Sequence, residues 1–189
     1  MGLLEEFPEL KHRISVGAYH QMGEAGILPP DARVELIDGE IIDMPPIGKF
    51  HASVVDRLAS KLFACVDGRA IVRVQGPLHL SENSEPEPDF SLLKPRDDFY
   101  RDAPPTAAEV LLVIEVSDAT QRYDRRVKVP LYARHGVPEV WIIDLENSLV
   151  HFHQNPSGGT YTDISATEWP GPTAIVMLPG VVVDLSGMW

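Results

Sequence analysis

Residues 110–144, VLLVIEVSDATQRYDRRVKVPLYARHGVPEVWIID, set two apolar runs around a polar and basic stretch. VLLVIEV (110–116) is a continuous run of β-formers without alternation, which predicts a strand covered on both faces. PEVWIID (138–144) predicts a second buried strand. Between them, Pro130 suits a first helical position and Gly136 an end, so a helix is expected over residues 130–135. Because Pro130 denies an amide hydrogen, that helix is expected to begin near Val129, with Lys128 at its mouth.

Working outward, RVELIDGEIIDM (33–44) places Asp38-Gly39 between apolar residues, a hairpin signal. Ser15 reads as the cap of a short helix closed by Gly23 or Gly26. From about Phe50 to Val66, Val54, Val55, Leu58, Leu62, Phe63 and Val66 recur at helical spacing, and Asp67-Gly68 stops the run. AIVRV (70–74) and PDFSLL (88–93) read as strands, and residues 94–109 as a polar, Pro-rich connection. LVHFHQ (149–154) and the short segments after the turn at 155–159 complete an order of helix, hairpin, long helix, strands, one helix and strands. That order predicts an α/β or α+β fold with a central mixed sheet flanked by helices.

The chain has 189 residues, 44% apolar and 23% charged, as expected of a single globular domain over 1–189. Its one cysteine, Cys65, excludes an intrachain disulfide and fits a cytoplasmic location. Cys65 reads as a buried, inert thiol. MGLLEEFPELKHR does not read as a secretory signal, and Glu6 breaks the myristoylation pattern that Gly2 would open. No stretch approaches a transmembrane length. The net charge of −12 argues against a nucleic-acid binder, but it is unevenly spread. Residues 82–89, ENSEPEPD, are acidic. Residues 121–135 carry Arg122, Arg125, Arg126, Lys128 and Arg134 against Asp124 alone. Both runs also read as solvated surface.

Asp89 and Glu115 stand on two strand-like segments, and adjacent strands would set their carboxylates side by side. A glutamate in a fully apolar run needs a partner. Glu87 shares a strand face with Asp89 and is an alternative ligand. Two carboxylates suit a hard cation such as Mg²⁺. Such an ion polarises a phosphoryl group and lowers the pKa of a bound water. A nearby lysine, Lys128, adds charge stabilisation. His151 and His153 share a strand face and read as surface residues. His51 reads as a cap or a solvated side chain. Glu35, Glu40 and Asp43 flank the hairpin, where acids commonly face solvent. Trp141 and Tyr132 read as core. Glycine-loop, Cys-x-x-Cys and Gly-x-Ser-x-Gly motifs are absent.

The combination of VELIDGEIIDMPP, HASVVDRLASKL, EPDF, LLVIEVSDAT and DRRVKVPLYARHGVPEVWIID resembles the Uma-two family, bacterial proteins with the restriction-endonuclease-like fold, from about residue 15 to the C-terminus. The resemblance implies a metal-dependent nuclease site. Asp89 and Glu115, with the Val116 carbonyl, take the places of ligands to Mg²⁺ or Mn²⁺, and Lys128 matches the family's helix-borne lysine. Ser117 stands where nucleases of this fold usually carry their lysine. Glu35 matches a further acidic position. Asp124 and Tyr132 also fall on family positions. Arg122, Arg125 and Arg126 would grip the phosphates of nucleic acid, with DNA the expected polymer. The competing reading is a non-catalytic module of the same fold that binds nucleic acid or protein. Hydrophobic strands near the C-terminus would suit a homodimer.

Overall fold

The computed structural model describes residues 10–118, 120–168 and 170–189. The reading of residues 1–9, including Gly2 and Glu6, lies outside them. Among the described residues, no helix is long and apolar enough to cross a membrane.

Helix α1 (Val16–Glu24) begins where Ser15 caps it, its Oγ accepting from the Ala18 amide at 3.2 Å. Strands β1 (Val34–Ile37) and β2 (Glu40–Asp43) form the hairpin around Asp38 and Gly39. Both turn residues have positive φ, +50° and +80°. That is the mirror-image turn that matches strand twist. Gly39 is required twice over, because a Cβ there would lie 2.6 Å from the Arg13 Cβ.

Helix α2 (Lys49–Val66) buries Val54, Val55, Leu58, Leu62 and Val66. Phe63, expected in that stripe, is 57% exposed. It falls a quarter-turn away from Leu62 and off the buried face. Asp67, in the left-handed conformation, ends the helix. Cys65 is half-buried against the core.

The central sheet has the order β3-β4-β5-β6-β7-β8. Its strands are β3 (Ile71–Val74), β4 (Phe90–Leu93), β5 (Val110–Ser117), β6 (Glu139–Asp144), β7 (Leu149–Ser157) and β8 (Thr160–Thr167). β5 and β6 are parallel and the other neighbours antiparallel, so the sheet is mixed. A parallel pair needs a crossover. Residues 121–134 supply it as helix α3. All of β5 and β6 is buried, as two covered faces require. One face packs on α2 and a C-terminal hairpin, β9 (Pro172–Ala174) with β10 (Val182–Asp184). The other packs on α3 through Leu131, Tyr132 and Ala133.

Helix α3 corrects the sequence reading. It starts at Gln121, not near Val129, so Lys128 is inside it. Gln121–Tyr123 and Val129–Arg134 are α-helical, and Asp124–Lys128 between them is a π turn. The Val129 amide bonds to the Asp124 carbonyl, five residues back. Pro130 explains this: its ring would press on the carbonyl four residues before it, and a wider turn relieves the clash.

Candidate active site

The register that pairs Phe90 with Ile114 carries Asp89, one residue before β4, to the side of Glu115. Asp89 Oδ2 accepts from the Val116 amide at 2.8 Å and from His51 Nε2 at 3.2 Å. Its Oδ1 accepts from Gln75 Nε2 at 3.2 Å. Burial works to raise the Asp89 pKa, but these donors outweigh it and hold the carboxyl below its ordinary range. An ionised carboxylate only accepts, so the His51 proton sits on Nε2. Burial pulls the His51 pKa down, and the Asp89 bond and charge carry it above its ordinary value.

Glu115 reaches the same place from inside β5. Its Oε1 accepts from the Tyr132 hydroxyl at 2.6 Å and pairs with Lys128 Nζ at 3.2 Å. Lys128 Nζ lies 3.1 Å from Glu35 Oε2 as well. Glu35 also accepts from the Tyr123 hydroxyl at 3.2 Å and the Glu87 amide at 3.1 Å. Glu35, Glu115 and Lys128 are 1%, 3% and 5% exposed. Glu35 therefore does not face solvent, whereas Glu40 and Asp43 do. Asp124 Oδ2 accepts from Ser117 and Thr120 hydroxyls at 2.6 and 2.7 Å.

The electrostatics follow from an excess of buried carboxylates. Burial raises the Glu115 pKa to about 8; Lys128 opposes this, and Asp124, Asp89 and Glu35 add to it. Burial alone would lower the Lys128 pKa, but Glu115, Glu35 and Asp124 hold it above its ordinary value, so the ammonium stays charged. Burial likewise raises the pKa values of Glu87 and Asp124.

These groups line a cleft of about 460 Å³, with Arg33, Asp118 and the loop from Met44 to Ile47 on its walls. Glu87 lines it with Asp89. Arg122, Arg125 and Arg126 are exposed and do not line it. Among the described residues, no three His, Cys, Asp or Glu side chains are gathered to hold an ion by themselves. Mg²⁺ uses one or two carboxylates and keeps several waters, so Asp89 and Glu115, which line the cleft with Val116, are the residues that could hold it.

The family model described as "Uma2: Putative restriction endonuclease" matches residues 16–186. The chain belongs to the Uma2 family. Among solved structures it is similar to the "putative nuclease belonging to DUF820" from Anabaena variabilis ATCC 29413. That similarity has a TM-score of 0.69 at 16% identity, over 90% of this chain and 94% of that one. No curated protein matches. The expected fold, α+β with a restriction-endonuclease-like mixed sheet, is the one this Uma2 chain has.

Four residues in or behind the Uma2 cleft were not expected there or not for their contacts. His51, read as a cap or solvated, is mostly buried and holds Asp89. Gln75 does the same from the end of β3. Tyr132 is core, as expected, and also donates to Glu115. Tyr123, about two turns earlier in α3, donates to Glu35. The intervals of four linking Asp124, Lys128 and Tyr132 were the available signal. Four residues slightly overrun an α turn, and the π turn takes up the excess, so the three share one inner stripe. His151 and His153 are not surface residues: they are 9% and 7% exposed, on the α3 side of β7. Burial lowers both pKa values, that of His153 to about 4, so they are neutral core side chains.

Proposed function

We propose that this Uma2 chain is a Mg²⁺- or Mn²⁺-dependent endonuclease that hydrolyses phosphodiester bonds of nucleic acid, DNA being the expected polymer. The observation that carries the reading is the ammonium of Lys128, buried and charged between Glu115 and Glu35 in the open cleft that Asp89 shares. A buried ion set of this kind is costly for stability and is expected where chemistry needs it. Asp89, Glu115 and the Val116 carbonyl would hold the ion, which when bound polarises a phosphoryl group and lowers the pKa of water. His51 and Gln75 keep Asp89 ionised and aimed. Tyr132 fixes the Glu115 carboxylate from behind. Lys128 supplies fixed positive charge where negative charge develops on the phosphate. Glu35, with Tyr123, holds that ammonium in place.

The test is plasmid nicking by the purified chain. Nicking with Mn²⁺, arrest by EDTA and loss in Glu115→Ala support the assignment. Cutting retained by Glu115→Ala rejects it. A second reading, a non-catalytic binding module of the same fold, is favoured by the net charge of −12 and by arginines that stand outside the cleft. Calorimetry separates the two: a folded chain that takes up no Mn²⁺ supports the module.

A further inference from the structure

Between β2 and α2 the chain crosses the mouth of the cleft as Met44-Pro45-Pro46-Ile47-Gly48. Met44, Pro45, Pro46 and Ile47 all line it. Ile47 is 44% exposed. Phe50, in the first turn of α2 between cleft-lining Gly48 and His51, is 47% exposed. Single exposed apolar residues are ordinary, but Met44, Pro45, Pro46 and Ile47 in succession over an acidic floor are not; Gly48 and exposed Lys49 separate them from Phe50, which stands just outside the lining. The lip is also held. Two prolines fix its backbone. The Met44 amide donates to the Arg33 carbonyl at 2.8 Å, and Arg33 Nη1 donates to the Pro45 carbonyl at 2.7 Å.

Charge decides what such a mouth can receive. Among the described residues, Arg33 and Lys128 are the only Lys or Arg side chains lining the cleft. Lys128 is paired with two carboxylates, and Arg33 is bonded to the lip itself. A duplex held by its backbone needs a row of cations on phosphates, and this cleft has none. A nucleobase asks for the opposite: an apolar surface for its ring face, with no charge. The volume, about 460 Å³, is in the range of pockets for small molecules.

Resting on the nuclease reading, we propose that the lip at residues 44–50 receives an unpaired nucleobase of the strand entering the cleft. The substrate is then single-stranded or locally unpaired nucleic acid rather than intact duplex. Ile47 and Phe50 supply the stacking surface, and the prolines hold it at the cleft's edge. Binding by base rather than backbone also accounts for an acidic chain acting on a polyanion.

The test is fluorescence anisotropy with a short labelled oligothymidylate, the same oligomer made abasic, and a blunt duplex, in Ca²⁺. The oligothymidylate is expected to bind at least about tenfold tighter than either of the others. Ile47→Ala and Phe50→Ala, both on exposed side chains, are expected to keep the unfolding temperature of the parent. Phe50→Ala weakens oligothymidylate binding by roughly 5- to 150-fold, the span of one lost base stack. Because both cleft cations are already held, log Kobs against log salt is expected to fall with a slope shallower than the roughly −1.4 that two phosphate contacts would give. Equal binding of the abasic oligomer, a preference for duplex, or unchanged affinity in both variants overturns the proposal. Plasmid cutting with Mn²⁺, scored separately, keeps the two claims apart. Equal cutting of duplex and single strand sinks the lip and leaves the nuclease. Base-dependent binding with no cutting of any polymer sinks the nuclease and supports the lip as a binding site.

Discussion

Lys128→Met is the most informative single perturbation of the buried cluster. The substitution keeps the volume of the stem and removes the ammonium that lies 3.1 Å from Glu35 and 3.2 Å from Glu115. Breaking a buried ion pair from one side costs about 3–5 kcal/mol, because the remaining charge has no partner. Two features put the loss in the lower part of that range. Glu115, raised to about 8, already holds a proton near neutral pH and is not left as a bare charge. Glu35 keeps its bonds from the Tyr123 hydroxyl and the Glu87 amide. A loss of about 3 kcal/mol lowers Tm by about 6–12 °C in a chain of this size. The loss also depends on pH. An acid whose folded pKa lies above its unfolded value, about 4.3, binds more protons in the folded state, so stability falls as pH rises through that window. Without Lys128 the Glu115 pKa rises further, so the deficit against the parent is flat from pH 5 to about 7, where both folded proteins hold the proton, and grows as pH rises through about 8. Urea unfolding of both proteins from pH 5 to 9 measures it. A deficit below about 1 kcal/mol at pH 7, or one that does not grow between pH 7 and 9, refutes the account of a buried ammonium beside two acids.

Mn²⁺ uptake should displace the Glu115 proton. With a folded pKa of about 8, affinity rises about tenfold per pH unit up to that point and then levels off, and calorimetry in buffers of different ionisation enthalpy reports the released proton. A flat profile between pH 6 and 8 contradicts this. Tyr132→Phe removes the 2.6 Å hydrogen bond to Glu115 and is expected to cost about 1.5–3 kcal/mol in urea unfolding. It should also move the midpoint of Mn²⁺ uptake to higher pH; no change in either quantity assigns Tyr132 to packing alone. Gly39→Ala forces a Cβ to 2.6 Å from Arg13 at a φ of +80°, and a loss of about 1–3 kcal/mol is expected by the same assay.

The parts of the fold carried by local chemistry were legible in the sequence. Asp38-Gly39 needs its turn whatever surrounds it, and VLLVIEV needs cover on both faces. What escaped was non-local. Pro130 reads as a helix start, because the π turn that accommodates it is specified by packing against β5 and not by any residue alone. His51 looks like a cap until α2 is laid against Asp89, 38 positions away in the chain. His151 and His153 alternate like surface residues, but β7 is covered on both sides, with Val150 and Phe152 facing one core and the histidines the other. Of the candidate site, Asp89, Glu115, Glu35 and Lys128 are legible as residues that would meet, and the structure brings them to one cleft. Asp89 and Lys128 are not in contact there: each holds its own partners, His51, Gln75 and Val116 for the acid, Glu35 and Glu115 for the amine.

The central claim is that Asp89 and Glu115 close on one cation. Anomalous diffraction from a crystal soaked in Mn²⁺ at pH 8, where Glu115 is about half ionised, tests it most directly. A single anomalous peak within about 2.0–2.3 Å of oxygens from both side chains is the expected result. A map with no peak between them, or with Mn²⁺ bound elsewhere in the cleft, contradicts the claim.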